Sequence, residues 1–279
     1  MKNDETLQED VEKRPFCRIH SIAAVILPLL IIAVFIFIVS MIIKSYPTAG
    51  DAVIRRVAAS MLSKDPNELT ANDFAQITEL DLSGQVLSDI RLLIKFTNLQ
   101  ELNLSKLKVP DTEIPKWKAY LAKLHIIKLQ TKSTRGSVST LETNLLNLLP
   151  LKKLSNLKIL NLNFAPVENI GPLSSLKNLT ELDLYGTQVT DLKPVKKLTN
   201  LKTLNIGETK ISDLKPLKRL MKLLRLHIYN TTVSDIEPVK SLINLDYFDM
   251  RKCKNITDQQ VEDLRQSLPK LVIFNSKNQ

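Results

Sequence analysis

Apolar and polar positions in this chain recur every 22 residues over much of its length. Opening a frame at each residue that starts an LxxLxL pattern places frames at Ile77, Leu99, Leu124, Leu157, Leu179, Leu201, Leu223, Leu245 and Leu271. The steps between them are 22, 25, 33, 22, 22, 22, 22 and 26 residues. Within a step the apolar letters keep fixed offsets, as in "LTELDL", "LKTLNI" and "LLRLHI". The central xLxL alternation predicts a short strand with every second side chain buried. The stretch that follows, as in "DLKPVKKL", carries a proline, which favours a tight 3₁₀-like return over a long helix. One repeat cannot bury its own leucines, but stacked neighbours bury them together. The pattern therefore predicts an α/β solenoid, with short parallel strands on a concave face and 3₁₀ or short-helix returns on a convex face. Thr187, Thr209 and Thr231 stand just past the strand, where a hydroxyl can bond the backbone of the loop. Cys253 holds the same offset and reads as a small buried side chain.

Other patterns flank the repeats. Ser21 to Ile43, "SIAAVILPLLIIAVFIFIVSMII", carries no charge. As a helix it rises roughly 34 Å, enough to cross a hydrocarbon core of about 30 Å. It is too long for the apolar core of a signal peptide. The expectation is a single-pass transmembrane helix over 21–43 after an N-terminal tail, 1–20. Lys13, Arg14 and Arg18 precede the run, so the tail is expected in the cytoplasm and the repeat domain exported. Residues 44–76 read as a juxtamembrane linker and a capping helix, with Val53, Ile54, Val57, Met61 and Leu62 at helical spacing. The repeat domain is assigned to 77–279. It has an irregular insert at about 105–156 and a closing repeat at 245–279. Within the insert, "STLETNLLNLLPLKKL" offers Ser139 as a helix cap with Glu142 three residues on.

The form "LxxLxLxxTxVxDLxPLxxLxN" resembles leucine-rich repeats of the 22-residue class found in bacterial internalins and in phosphatase-regulatory proteins. The resemblance spans about Ile77 to Asn275 and is strongest from Leu157 to Met250. "LTANDFAQITELDLSGQVLSDI" is similar to the N-terminal cap of many bacterial members, and "NITDQQVEDLRQSLPKLVIF" to their helical closing repeat. The resemblance implies an internalin-like, membrane-anchored bacterial protein with an arc-shaped domain that binds other macromolecules. It implies no shared chemistry.

Composition adds a net charge of +10 in 279 residues. That charge permits an acidic partner, an anionic polymer or a membrane surface without choosing among them. The two cysteines, Cys17 and Cys253, lie on opposite sides of the apolar run, so no disulfide framework is expected. Three scattered histidines leave no expected metal site. There is no glycine-rich phosphate loop, no GxSxG and no HExxH, so no catalytic residues, no cofactor and no enzyme activity are expected. Anchoring and export also argue against a nucleic-acid partner.

Candidate chemistry sits where the frames differ. Offsets three, five and seven of each frame face outward from the strand. In the later frames they gather Asp183, Tyr185, Arg225, His227, Tyr229, Tyr247, Asp249 and Arg251. Tyr and Arg concentrate binding energy at protein interfaces. These eight residues are therefore the candidate protein-binding site, with Gly207 leaving a gap between Tyr185 and Tyr229. Ordinary cross-strand pairing accounts for the same letters. A second feature is a ladder of bases on the returns: Lys152, Lys153, Lys193, Lys196, Lys197, Lys215, Lys218, Arg219 and Lys240. It reads either as a solvated face or as a surface for anionic lipid or polymer. The function expected from the sequence is protein–protein interaction through the concave face. The alternatives are the basic-face binder and a cytoplasmic regulator of a phosphatase-like enzyme.

Overall fold

The computed structural model describes residues 49–87, 89–109 and 145–275, all within the unit Thr48–Gln279. The apolar run at 21–43 and residues Ser139 and Glu142 lie outside the described residues. Among the described residues, no helix is long and apolar enough to cross a membrane.

Eight three-residue strands form one parallel sheet in strict chain order. They are β1 (Glu79–Asp81), β2 (Glu101–Asn103), β3 (Ile159–Asn161), β4 (Glu181–Asp183), β5 (Thr203–Asn205), β6 (Arg225–His227), β7 (Tyr247–Asp249) and β8 (Val272–Phe274). Their central residues Leu80, Leu102, Leu160, Leu182, Leu204, Leu226, Phe248 and Ile273 stand in one register. All eight are buried. Each fully buried leucine contributes about 1.5–3 kcal/mol relative to exposure. The repeat thus stabilises itself only by having neighbours.

The returns are 3₁₀ turns at Arg91–Lys95, Leu149–Lys153, Gly171–Ser175, Lys193–Lys197, Lys215–Arg219 and Glu237–Ser241. Five of the six carry proline in the first two positions, where a missing N–H costs nothing. An Asp or Asn two residues before each turn caps it. Asp191, Asp213 and Asp235 each accept the N–H of the residue two ahead at 2.8 Å. A second ladder runs along the other edge. The side-chain amides of Asn98, Asn156, Asn178, Asn200 and Asn244 donate to carbonyls of the preceding repeat at 2.6–3.0 Å. Behind the strands, the hydroxyls of Thr187 and Thr209 donate to the carbonyls of Leu184 and Ile206. Cys253 continues that ladder, its thiol donating to Ile228 at 3.0 Å. The solenoid fold expected from the 22-residue period is the fold observed.

Both ends of the stack are closed by helices. Helix α1 (Ala49–Leu62) buries Ile54, Ala58 and Ala59. Met61, expected on its covered face, is half exposed. Short α2 (Ala71–Gln76) begins with a capping box of Thr70 and Asp73. Lys64 holds the Asp73 carboxylate at a pKa of about 2, helped by the backbone and hydroxyl of Thr70. Phe74 of α2 packs edge-on against Phe96 at 5.0 Å. At the far end α3 (Asp258–Ser267) starts with a second capping box, Thr257 with Gln260.

The insert departs from the expected reading. β2 pairs directly with β3, Leu102 with Leu160, so no strand from the Leu124 frame stands between them. Ile126, Lys128 and Gln130, placed by that frame on the outer face, lie outside the described residues. The described end of the insert is the 3₁₀ return Leu149–Lys153, where a helix was expected. Leu148, Leu151 and Leu154 of this stretch fill the core behind β2 and β3. Leu99 therefore opens one long repeat whose return arrives late.

Candidate interaction surface

The outer face of the sheet is set by a local rule at each strand end. The residue at offset five is Asp or Asn, and its Oδ1 accepts the N–H two residues on. This holds for Asp81, Asn103, Asn161, Asp183, Asn205 and Asp249, at 2.7–3.1 Å. The residue directly after that N–H, at offset eight, stands in the left-handed region. Gly84, Lys106, Phe164, Gly186, Glu208, Asn230 and Lys252 all have φ between 52° and 67°. Asp183 and Asp249, expected as partner-binding groups, are thus members of a structural ladder.

His227 is the exception. It stands at offset five of β6, and no acceptor for the Tyr229 N–H is found among the described residues. The ring instead stacks on Tyr247, with centroids 5.0 Å apart and 37° between planes. Tyr247 stacks in turn on Phe274 at 4.9 Å. His227 Nδ1 lies 3.9 Å from Asp249 Oδ2. Burial lowers the His227 pKa, with Asp249 and Asp183 opposing. Asp249 is buried, which disfavours its charge, yet the Arg251 guanidinium and N–H hold its pKa below the usual range.

Arg251 binds Asp249 with two nitrogens, Nε at 3.0 Å and a terminal nitrogen at 2.8 Å. Its guanidinium carbon lies 5.9 Å from the centroids of both Tyr229 and Phe274. Lys252 Nζ stands 4.9 Å from the centre of the Tyr229 ring. Around β6 to β8 the cationic and aromatic groups thus form one connected patch. It takes in His227, Tyr229, Tyr247, Asp249 and Arg251 of the expected residues. Arg225 is exposed on the same face. Phe274 and Lys252 belong to it but were not foreseen. The frame opened at Leu271 hid Phe274 by placing it at the buried offset four, whereas the strand puts Ile273 at the centre and pairs Phe274 with Asp249.

Tyr185 is separate from this stack. Its ring meets Phe164 edge-on at 5.2 Å. It also occupies the gap expected over Gly207: a Cβ there would sit 2.9 Å from a Tyr185 ring carbon. Glycine at 207 accommodates the neighbouring tyrosine. Desolvation raises the pKa of Asp183, opposed by the Tyr185 N–H, the Asn205 side chain and His227.

The outer face is also uneven in charge. β1, β2 and β4 present Glu79, Asp81, Glu101 and Glu181, all exposed. Beside α1, Val57 and Met61 wall an open hollow of about 550 Å³ whose floor includes Glu79, Asp81, Glu101 and Ile159. On the returns, the expected basic ladder is broken. Gly171–Ser175 carries no base, and Lys240 is paired with Glu237 at 2.6 Å. What remains is a dense pair of turns, Lys193–Lys197 and Lys215–Arg219, with Lys152 and Lys153 set apart. Among the described residues, no group of His, Cys, Asp and Glu is arranged to hold a metal ion.

A family model for leucine-rich repeats, in two copies, matches residues 177–219. No curated relative matches the chain. Among solved structures, internalin C2 from Listeria monocytogenes superposes with a TM-score of 0.56 at 23% identity, covering 81% of this chain and 93% of its own. An internalin F structure from the same organism gives 0.48 at 24% identity, over 81% of this chain and 69% of its own. The likeness to internalin C2, the repeat model over 177–219 and the parallel ladder with its 3₁₀ returns show a leucine-rich repeat solenoid of internalin-like fold.

Proposed function

We propose that this chain is a membrane-anchored leucine-rich repeat protein that captures a protein partner on the outer face of its sheet. The observation that carries the reading is the β6–β8 patch. There the repeat's structural rule is broken by His227, and Tyr229, Tyr247, Phe274 and Arg251 are held in fixed mutual contact. Departures from a repeat's own rule collect at functional sites. Rigid aromatic and arginine anchors, ordered before binding, reduce the entropy cost of association. The charge-free run 21–43 supports the anchor, and the basic tail supports a cytoplasmic N-terminus with the repeats exported.

A photocrosslinking amino acid at Tyr229, in native membranes, tests the reading. A specific protein adduct is expected. Arg225→Ala combined with Tyr229→Ala should keep the fold, checked by circular dichroism, and lose the adduct, with the probe moved to Tyr247. Unchanged capture by the folded double variant sinks the assignment. Protease accessibility of the repeats in intact cells tests the orientation: protected repeats would place the domain in the cytoplasm.

A further inference from the structure

The returns Lys193–Lys197 and Lys215–Arg219 are adjacent in the stack, and all of Lys193, Lys196, Lys197, Lys215, Lys218 and Arg219 are exposed. Among the described residues, little neutralises them. Asp191 and Asp213 turn their Oδ1 atoms to the N–H groups of Lys193 and Lys215. The one ion pair within these turns, Lys193 with Asp191, spans 3.7 Å between side chains that are 84% and 58% exposed. Such a pair contributes little. The preceding return itself lacks bases, with Lys177 just after it donating to the Lys197 carbonyl at 3.1 Å, and the following one pairs its lysine with Glu237.

The chemistry of the plate selects a kind of ligand. Five of its six bases are lysines, which act as hydrated point charges and not as planar forks for a single bound anion. They stand exposed on the turns and line neither the hollow beside α1 nor that beside Leu149. That arrangement fits many separate anionic groups spread over a surface. The sequence supplies such a surface nearby. On the anchored reading, only Lys44 to Thr48 join the apolar run to the start of α1. A stretch of that length reaches roughly 20 Å when fully extended. Tethering at such range raises the effective concentration of the surface.

We propose that the plate formed by Lys193–Lys197 and Lys215–Arg219 docks the solenoid on the anionic headgroups of the membrane that carries it. This goes beyond partner capture on the sheet face and rests on the anchored reading.

Full-length protein reconstituted in phosphatidylcholine liposomes, with or without phosphatidylglycerol, provides the test. Amine-reactive labelling read by mass spectrometry gives a rate for each lysine. Docking predicts a several-fold slower rate at Lys196, Lys197, Lys215 and Lys218 on anionic liposomes, with Lys254 and Lys270 unchanged. Raising salt to about 0.5 M should restore the rates, because screening shortens to a few ångströms. Lys196→Glu with Lys218→Glu should abolish protection at Lys197 and Lys215. Equal rates on neutral and anionic liposomes overturn the proposal. So does protection that survives high salt, or protection that appears only when a soluble polyanion is added to neutral liposomes. Alkaline washing reads the anchor separately. If the chain washes off, adding it to preformed anionic vesicles decides the plate alone, and absence of protection there overturns it.

Discussion

At the residue scale, His227 concentrates the conflict between fold and function. Six other strand ends satisfy the N–H at offset seven with an Asp or Asn side chain, and β6 does not. His227→Asn should restore that bond. Leaving a backbone N–H unpaired costs about 1–3 kcal/mol, and losing the ring contact with Tyr247 costs about 0.5–1.5 kcal/mol. The first effect wins, so urea unfolding at pH 7 should show a variant more stable by up to about 1 kcal/mol. An equal or weaker variant would show that the histidine's stacking matters more than the missing bond. The same residue predicts a pH dependence. Burial lowers the folded pKa of His227, so the unfolded chain binds more protons below its own pKa of about 6.5. Stability therefore falls as pH drops below about 6.5 and levels off beneath the folded value. Asp183 acts in the opposite sense. Its raised pKa means that stability is regained as pH falls through a window above 3.8. Unfolding measured between pH 7 and pH 5 on both proteins separates the two, since the histidine component vanishes in His227→Asn. A fall of equal slope in both would assign it elsewhere.

At the element scale, the repeat turn explains what the sequence reveals and what it hides. Strands, returns and the Thr187–Thr209–Thr231 ladder are legible because each needs one residue type at one offset every 22 positions. The left-handed residue at offset eight is not. Only Gly84 and Gly186 mark it, while Lys106, Phe164, Glu208, Asn230 and Lys252 adopt the same backbone without the usual letter. The stacked turn imposes this backbone whatever stands there, and it does so at Asn230 even though His227 makes no bond from offset five. Asp183 and Asp249 were legible as ladder members for the same reason, since Asp or Asn recurs at offset five. The turn makes two predictions of opposite sign. Lys106→Gly removes a left-handed side chain and should stabilise by up to about 1 kcal/mol. Gly186→Ala should destabilise by about 1–2 kcal/mol, and its Cβ would also press on the Phe164 ring at 2.4 Å. Thermal melts of the two variants should move in opposite directions. A shift of both in the same direction would show that the offset-eight backbone changes with its occupant.

At the scale of the whole molecule, the regular steps predict a continuous stack and the irregular ones mislead. The Leu124 frame satisfies LxxLxL, yet the sheet passes from β2 to β3 without it. A strand enters such a ladder only when a return of the right length brings it level with its neighbour, and the steps of 25 and 33 residues around Leu124 do not. The backbone shows where the extra chain leaves and rejoins. Lys108 still pairs with Gln85 of the preceding repeat, its N–H donating at 3.0 Å, and Leu146 donates to Pro166 of the following one at 2.7 Å. Counted forward from Leu99 and back from Leu157, Val109 and Leu146 fall at offsets eleven and twelve of a single 22-residue repeat. Deleting residues 110–145 restores the 22-residue step between Leu99 and Leu157. β2 pairs with β3 without the residues removed, and the cost of loop closure grows only slowly with length, about 0.6 kcal/mol per doubling. The shortened chain is expected to keep the circular dichroism of the parent and one cooperative melt, with stability unchanged or raised by about 1 kcal/mol. Crosslinking from position 229 should also persist, because β6 to β8 lie beyond the junction in a stack whose members touch only their neighbours. A deletion variant that unfolds or loses its cooperative transition would show that residues 110–145 supply core that β2 and β3 need. A folded variant that no longer forms the adduct would move part of the partner's footprint onto the insert.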